Sequence, residues 1–598
     1  MIKASDILVY DIETQAVKDF QFPEGSAIHC IVCQPLYGQP ERYHDDPELP
    51  REGTLDDGFR RLANWPGKLA GHNVLRFDRI VVEDAFGEPL PDHLDTQLLC
   101  EMRWPHVKEL DFRRRNAGDQ SFPSRLIGRQ SLEAWGYRLG VRKGDFGKQT
   151  GWHVLDRPML DYCVQDVKVT AALMERILKY WPGNQAVELE HRFAEVIWEQ
   201  IRAGVKVDRK AAADLLGQLT SAYAGVYDKL VELCPPFEIP YVTPKKKLRR
   251  TKVVPFNPGS RLHCANHLIR KYGWKPKQFT DSGRPQLDEA ILESLAGVYA
   301  EAALMNEYLM LGKRIGQLEG SSKAGDPILK YLKDDDTIHG EVRPCGTVTM
   351  RCAHKKPNLG QIPRPGSKWG TEFRALFGPK NPGWVMVGAD ASGLETRELA
   401  HFLHQFDGGR MVDIVLSGDV HSTNMQALEI MDRNRAKVWF YAWLYGAGDA
   451  KLGLILGCSA RRARAASKRF LRNTPGMPSL KQLCSEHAGN YGWLPGCDGR
   501  RIPVRHQHSA LNTLLQGNGA IVVKMATVLW ADAVKEEGLR AHQVLHVHDE
   551  AQYESHPDDA QRVGEIGVES FRKAGEILGI KCPLDGEYKV GANWSETH

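Results

Sequence analysis

Apolar positions along this chain follow two periods. Short continuous or alternating runs mark strands, and apolar residues three or four apart mark helices. Residues 6–14, DILVYDIET, read as a central strand carrying Asp11 and Glu13. Residues two apart in a strand share a face, so both carboxylates point the same way. The turn HNVLRFD follows at 72–78 and ends on Asp78. Residues 159–174, MLDYCVQDVKVTAALM, read as a helix with Tyr162 and Asp166 four apart on one side. After a break at Trp181-Pro182-Gly183 the pattern is strongly helical over 187–232; helices resume near Leu262 and Leu287 and end near Gly316. Strand-like pieces and turns surround Arg351, with Pro357 and Pro363 as breakers.

An apolar run at 385–387 reads as a buried strand that ends at Asp390. Ser392 and Glu395 follow with the spacing of a capping box, and Leu394, Leu399 and Phe402 give the next helix its apolar side. The turn 418–421, ending on His421, opens another helix; Arg433, Lys437, Tyr441 and Tyr445 then recur every four residues up to Gly446. Residues 544–553, VLHVHDEAQY, read as a hairpin with Asp549 and Glu550 at its tip.

A length of 598 residues implies several domains, and 42% hydrophobic with 26% charged residues is ordinary globular composition. The sequence shows no apolar run long enough to span a membrane, and its start enters a strand without a signal-peptide pattern. Twelve cysteines without disulfide spacing suit a reducing compartment; the pair Cys30 and Cys33 has no second pair to complete a zinc site. A net charge of +4, from 79 basic and 75 acidic residues, neither demands nor excludes nucleic acid. Binding must then come from local patches such as KKKLRRTK at 245–252, which reads either as a solvated loop or as a phosphate-backbone contact.

The acids carry the chemistry. Asp11 with Glu13, Asp78 and Asp166 lie on three separate elements, with Tyr162 beside the last, which makes a two-metal hydrolase plausible although each piece alone is common on surfaces. Asp390 and Asp549 each end an apolar strand and can meet as a pair that repels unless a cation such as Mg²⁺ sits between them. The plainer reading makes Asp390 a solvated strand end and Glu395 only a cap. The Arg433–Tyr445 stripe can grip a triphosphate and stack a base, or it is a surface helix with snorkelling side chains.

The order D-x-E, N…D, Y-x3-D resembles the proofreading 3′→5′ exonucleases of the DEDD class with a tyrosine. DASGLETR at 390–397, R-x3-K-x3-Y-x3-YG at 433–446 and HDE at 548–550 resemble motifs A, B and C of the family A DNA polymerases. The stretches 131–140, 307–317, 357–363 and 510–516 resemble the replicative polymerases of short-tailed lytic phages. The resemblance implies an α/β multidomain fold: an RNase H-like 3′-5′ exonuclease (1–183), a thumb (184–330) with the basic loop 245–252, a palm (331–410 and 500–598) and fingers (411–499), shaped as a right hand. It implies template-directed DNA synthesis with proofreading. The alternatives are a 3′-5′ exonuclease whose C-terminal part only binds DNA, and a non-catalytic DNA-binding scaffold.

Residue by residue, the resemblance makes Asp390 and Asp549 ligands of two Mg²⁺ ions, with Mn²⁺ as a substitute and Glu550 as an accessory acid. Arg433, Lys437 and His421 would hold the incoming triphosphate. Tyr441 would pack on its sugar, Tyr445 would lie near the templating base, and Glu395 would wall off the sugar 2′ position. Arg351, His508 and Gln516 would read the minor groove at the primer terminus. Asp11, Glu13, Asp78 and Asp166 would hold the exonuclease metals, with Tyr162 orienting water. Primer-template DNA and dNTPs are the implied partners, with a phage helicase-primase and single-strand binding protein, in the cytoplasm of an infected bacterial host. Two departures stand out. Phage relatives use a long thumb insertion to capture host thioredoxin, whereas only the short basic loop stands here, so that partner is not carried over. Thr349-Met350-Arg351 replaces the usual T-G-R, so that turn is expected to differ. With the proofreading strand beginning at residue 6, no amino-terminal 5′ nuclease is expected.

Overall fold

The computed structural model describes residues 3–15, 28–143, 153–242, 249–280, 282–320, 326–418 and 420–598. The chain forms two compact units: Met1–Gly204 with Val342–His354 and Asn381–His598, and Val205–Glu341 with Lys355–Lys380.

Two sheets organise the first unit. The amino-terminal one is mixed, in the order Glu41–Tyr43, Ile28–Pro35, Ile7–Thr14, Lys68–Gly71, His93–Asp95. Its central strand, Ile7–Thr14, pairs antiparallel with Ile28–Pro35 and parallel with Lys68–Gly71, and every residue except Asp11 is buried. Helix Arg157–Lys179 packs across this strand. The Asp156 side chain caps it by accepting from Met159 N, and Pro158 sits in the first turn, where its missing N–H costs nothing.

The second sheet is antiparallel, in the order Ala541–Val547, Glu550–Ser555, Val385–Ala391, Gly586–Gly591. Helices Ala510–Glu536 and Ala560–Ile577 pack together and against this sheet. By length and composition the segment Gln507–Glu536 could cross a membrane, which the sequence reading overlooked; 78% of its apolar window is buried inside the protein, where a core helix puts such residues. A buried ionic network ties helix Asn184–Ala203 to this region. Glu190 accepts from Arg500 and, at 2.6 Å, from Lys524 Nζ, while Arg500 Nε lies 2.7 and 3.0 Å from the two Asp498 oxygens. Every charge in it is matched, which is the condition for ions in a core.

The second unit is mainly helical. Helices Arg209–Leu233 and Ala300–Leu318 pack together, with the Tyr223 and Tyr308 rings stacked at 4.2 Å. A small sheet joins Phe377–Gly378, Val205–Val207 and Thr337–Ile338. Strands Phe237–Val242 and Arg249–Val254 form an antiparallel hairpin; residues 245–248 of the basic loop between them lie outside the described residues.

Candidate active sites

In the antiparallel sheet, Asp390 stands in register with Glu550 on one neighbouring strand and Glu587 on the other. His548 takes φ 58° in the tight turn after Val547, and Ala391 N donates to Asp549 O at 3.3 Å, so the turn brings Asp549 alongside the Asp390 strand. Asp390 Oδ1 is buried and has no partner among the described residues. Burial, then the charges of Asp549 and Glu550, push the Asp390 carboxyl well above its ordinary range; burial also raises Asp549. Two desolvated carboxylates that repel each other, one with an orphaned oxygen, fit a hard divalent cation. Glu550 differs: it is buried, accepts from Trp594 Nε1 at 2.6 Å and pairs with His598. Sequence reasoning missed Trp594 and His598, since no spacing links them to the hairpin.

Asp390 opens onto a cleft of about 580 Å³ whose lining includes Arg433, Lys437, Tyr441, Lys589 and His598. Helix Arg433–Leu444 is capped by the Asp432 side chain, which accepts from Arg435 N, and buries Ala436, Trp439, Phe440 and Trp443. With that face in the core, Arg433, Lys437 and Tyr441 line the cleft together with Asp390. Tyr445 ends the helix with its ring 6.2 Å from that of Tyr441. The Tyr441 hydroxyl lies 3.2 Å from Thr396 Oγ1. Helix Val420–Leu428 starts at the cleft with Val420, but the His421 side chain is outside the described residues.

The expected capping box is absent. Gly393, at φ 60°, is the N-cap of helix Leu394–Asp407, no side chain caps it, and Ser392 N donates to Asp585 O at 3.0 Å. The left-handed glycine turns the chain before Ser392 can cap. Glu395 instead accepts from Arg351 Nη2 at 3.2 Å and from the Tyr445 hydroxyl. Arg351 follows Met350, which is buried at φ 62°, the left-handed conformation that glycine favours; the turn keeps a glycine-like backbone without the glycine. His508, on an exposed turn stacked with His506 at 5.4 Å, and Gln516, on helix Ala510–Glu536, are not among the residues lining the cleft.

A second acidic cluster lies on the mixed sheet. Asp11 and Glu13 share a strand; Asp78 opens helix Asp78–Phe86 and accepts from Ile12 N at 3.3 Å. From helix Arg157–Lys179, Asp166 turns Oδ2 to Lys143 and leaves Oδ1 buried, with no partner among the described residues. The Lys143 ammonium also lies 4.7 Å from the Tyr162 ring centroid. Burial first, and then the charges of Asp78 and Asp166, raise Asp11; burial and then the charge of Asp166 raise Glu13; burial raises Asp78 and Asp166. This donor set, too, fits divalent cations. The sequence reading missed Cys163, whose ligand atom lies within 4.8 Å of those of Asp11 and Glu13. Its place three residues before Asp166 on one helix face was the available signal. It also missed Lys143, and it missed Asp95, which accepts from Asn73 N, Leu75 N and Gln97 N and so fixes the turn leading to Asp78.

A family model described as DNA polymerase family A matches residues 242–596. A DNA-directed DNA polymerase of Enterobacteria phage T3 is 33% identical over 99% of this chain and 100% of its own length. The DNA-directed DNA polymerase of Escherichia phage T7 is 32% identical over the same shares. Among solved structures, the POL domain of Pol1 from M. smegmatis, in complex with DNA primer-template and dNTP, has a TM-score of 0.72 at 17% identity, covering 99% of this chain and 96% of that one, which speaks to the fold alone. Matched by the family model over more than half its length and by full-length relatives above 30% identity, the chain belongs to DNA polymerase family A.

Proposed function

We propose that this DNA-directed DNA polymerase of family A extends a primer 3′ end on a DNA template and proofreads it with a 3′→5′ exonuclease, as the replicative enzyme of a phage. The supporting observation is one cleft lined by Asp390, Arg433, Lys437 and Tyr441 together, with the Asp549 backbone bonded to the end of the Asp390 strand. When bound at the two acids, divalent ions (Mg²⁺, or Mn²⁺) supply Lewis-acid charge at the primer hydroxyl and the leaving pyrophosphate. Arg433 and Lys437, with His421, hold the triphosphate and balance its charge. Glu395, kept in place by Arg351 and Tyr445, fills the space beside the sugar 2′ carbon. Arg351, His508 and Gln516 contact the primer-terminal minor groove. In the second cluster Asp11, Glu13, Asp78 and Asp166 hold the exonuclease ions and Tyr162 orients the attacking water.

Residues 1–183 are assigned to the exonuclease, 184–330 to the thumb, 331–410 and 500–598 to the palm, and 411–499 to the fingers. The 245–252 basic stretch serves backbone contact. Primer-template DNA, dNTPs and a phage helicase-primase and single-strand binding protein are the partners, in the cytoplasm of an infected bacterium. Two reactions test the reading: extension of a primed template with Mg²⁺ and dNTPs, and shortening of the same primer without dNTPs. Shortening without extension would leave only a nuclease with a DNA-binding half.

Tyr441 is expected to make the enzyme accept dideoxynucleotides. A nucleotide 3′-hydroxyl makes its own polar contact near the β-phosphate; when it is missing, the tyrosine hydroxyl can fill the vacancy. An unpaired polar group in a dry site costs about 1–3 kcal/mol. At roughly 1.4 kcal/mol per tenfold, Tyr441→Phe should raise discrimination against dideoxynucleotides by about one to two orders of magnitude. The check is kcat/KM for both substrates in both proteins with the exonuclease disabled. An unmoved ratio would mean that the hydroxyl, which lies beside Thr396, does not act at the nucleotide sugar.

A further inference from the structure

Lys143 stands in the exonuclease cluster without being a metal ligand. Its ammonium is in ion-pair contact with Asp166 Oδ2 and lies 4.7 Å from the centroid of the Tyr162 ring. The Lys143 side chain is 23% exposed and that of Asp166 only 3%, so the pair is largely shielded from water. Ion pairs this shielded are not the loose contacts of a protein surface. The carboxylate it touches is divided in use: Oδ2 is taken, while Oδ1 is buried and has no partner among the described residues. The same lysine opposes the crowded charge of Asp11, Glu13 and Asp78. Tyr162 and Asp166 sit one turn apart on one helix face, and Lys143 bridges them from outside that helix.

We propose that Lys143 is a positioning residue of the exonuclease: it holds Asp166 by one oxygen so that the other faces the cation-binding space, and it fixes the Tyr162 ring over the same spot. The inference rests on the exonuclease reading of Asp11, Glu13, Asp78 and Asp166. Lys143 itself touches no reacting atom. Its ammonium supplies what a metal site needs outside its ligands, a partner that sets the direction of a ligating carboxylate. Because one lysine orients both the acid and the tyrosine, its loss should misplace two groups at once.

The test uses the full-length chain. Lys143→Met should lower kcat for 3′→5′ shortening of single-stranded DNA by about 10- to 100-fold, with KM for DNA unchanged. Lys143→Arg, which keeps the charge and can keep both contacts, should recover most of that loss. Primer extension by both variants should match the parent, which separates the effect from misfolding. Mn²⁺ binding to the cluster, followed by electron paramagnetic resonance in an Asp549→Ala background, should weaken in Lys143→Met and recover in Lys143→Arg, because the Asp166 oxygen is no longer held toward the cation; tighter binding in Lys143→Met would overturn the proposal. Unchanged or faster shortening by Lys143→Met would overturn the proposal and make Lys143 a counter-ion that leaves when metal arrives. A raised KM with unchanged kcat would also overturn it, by making Lys143 a contact to DNA. If the parent chain does not shorten DNA, or still does after Asp11→Ala with Glu13→Ala, the exonuclease reading itself fails, independently of Lys143.

Discussion

Asp549→Ala is expected to abolish primer extension while 3′→5′ shortening continues, and Asp11→Ala with Glu13→Ala is expected to do the reverse. The two sets of acids hang on different sheets, each with its own hydrophobic core. Substitutions at sites without shared partners act nearly independently. Each activity should fall by about 10³-fold or more, the scale on which removal of a catalytic group is felt. Folding should survive. Desolvation first, and then neighbouring carboxylates (Asp78 and Asp166 at Asp11, Asp166 at Glu13), raise both groups, so removing both relieves repulsion and breaks no matched ion pair. Melting temperatures in EDTA should therefore hold or rise. Single-nucleotide incorporation and shortening of a 3′-labelled mismatch, measured on the same preparations, separate the two effects. Loss of both activities in a well-folded Asp11→Ala, Glu13→Ala protein would mean that the two clusters are not separate sites.

The parts of this fold that were legible from sequence share one property: their signal is local. A D-x-E pair in an apolar run, an acid at a strand end and a four-residue stripe are set by chain periodicity, and the strands, the hairpin and the helices carrying them stand where that periodicity puts them. What escaped depends on residues distant in sequence. Lys143 meets Asp166 across 23 positions, part of which lie outside the described residues, and Trp594 and His598 reach Glu550 from the far side of another strand. The capping box failed for a different reason. S-x-x-E spacing is also what remains when a glycine one position later starts the helix, and Gly393 at φ 60° does so. One local signal was overlooked: Glu398 is four residues after Leu394, on the side of the helix that Leu394 shares with the core.

That residue should measurably lower stability. Glu398 is fully buried, neither carboxylate oxygen has a partner among the described residues, and burial alone lifts its carboxyl from 4.5 to about 8. Among the described residues no cation offsets it; its charge in turn helps to raise the thiols of Cys497 and Cys582. The native state therefore holds this proton where the unfolded chain releases it. The sign follows: the stabilisation is fully present below pH 4.5 and is lost progressively as pH rises to about 8, beyond which a bare carboxylate sits in the core. A rise from 4.5 to about 8 corresponds to roughly 5 kcal/mol at about 1.4 kcal/mol per unit, an upper figure because water can reach a strained site. Methionine is similar in length, adaptable in shape and has nothing to ionise. Glu398→Met should thus gain about 2–4 kcal/mol of stability near pH 8, and its advantage over the parent should shrink steadily towards pH 4.5. The difference between the two proteins isolates this one carboxyl, because the raised acids of both carboxylate clusters are common to them and EDTA keeps divalent ions away from those clusters. Denaturant melts of both proteins across that pH range give the comparison. A difference that does not change with pH would show that Glu398 finds a partner in solution or is never neutral in the folded protein.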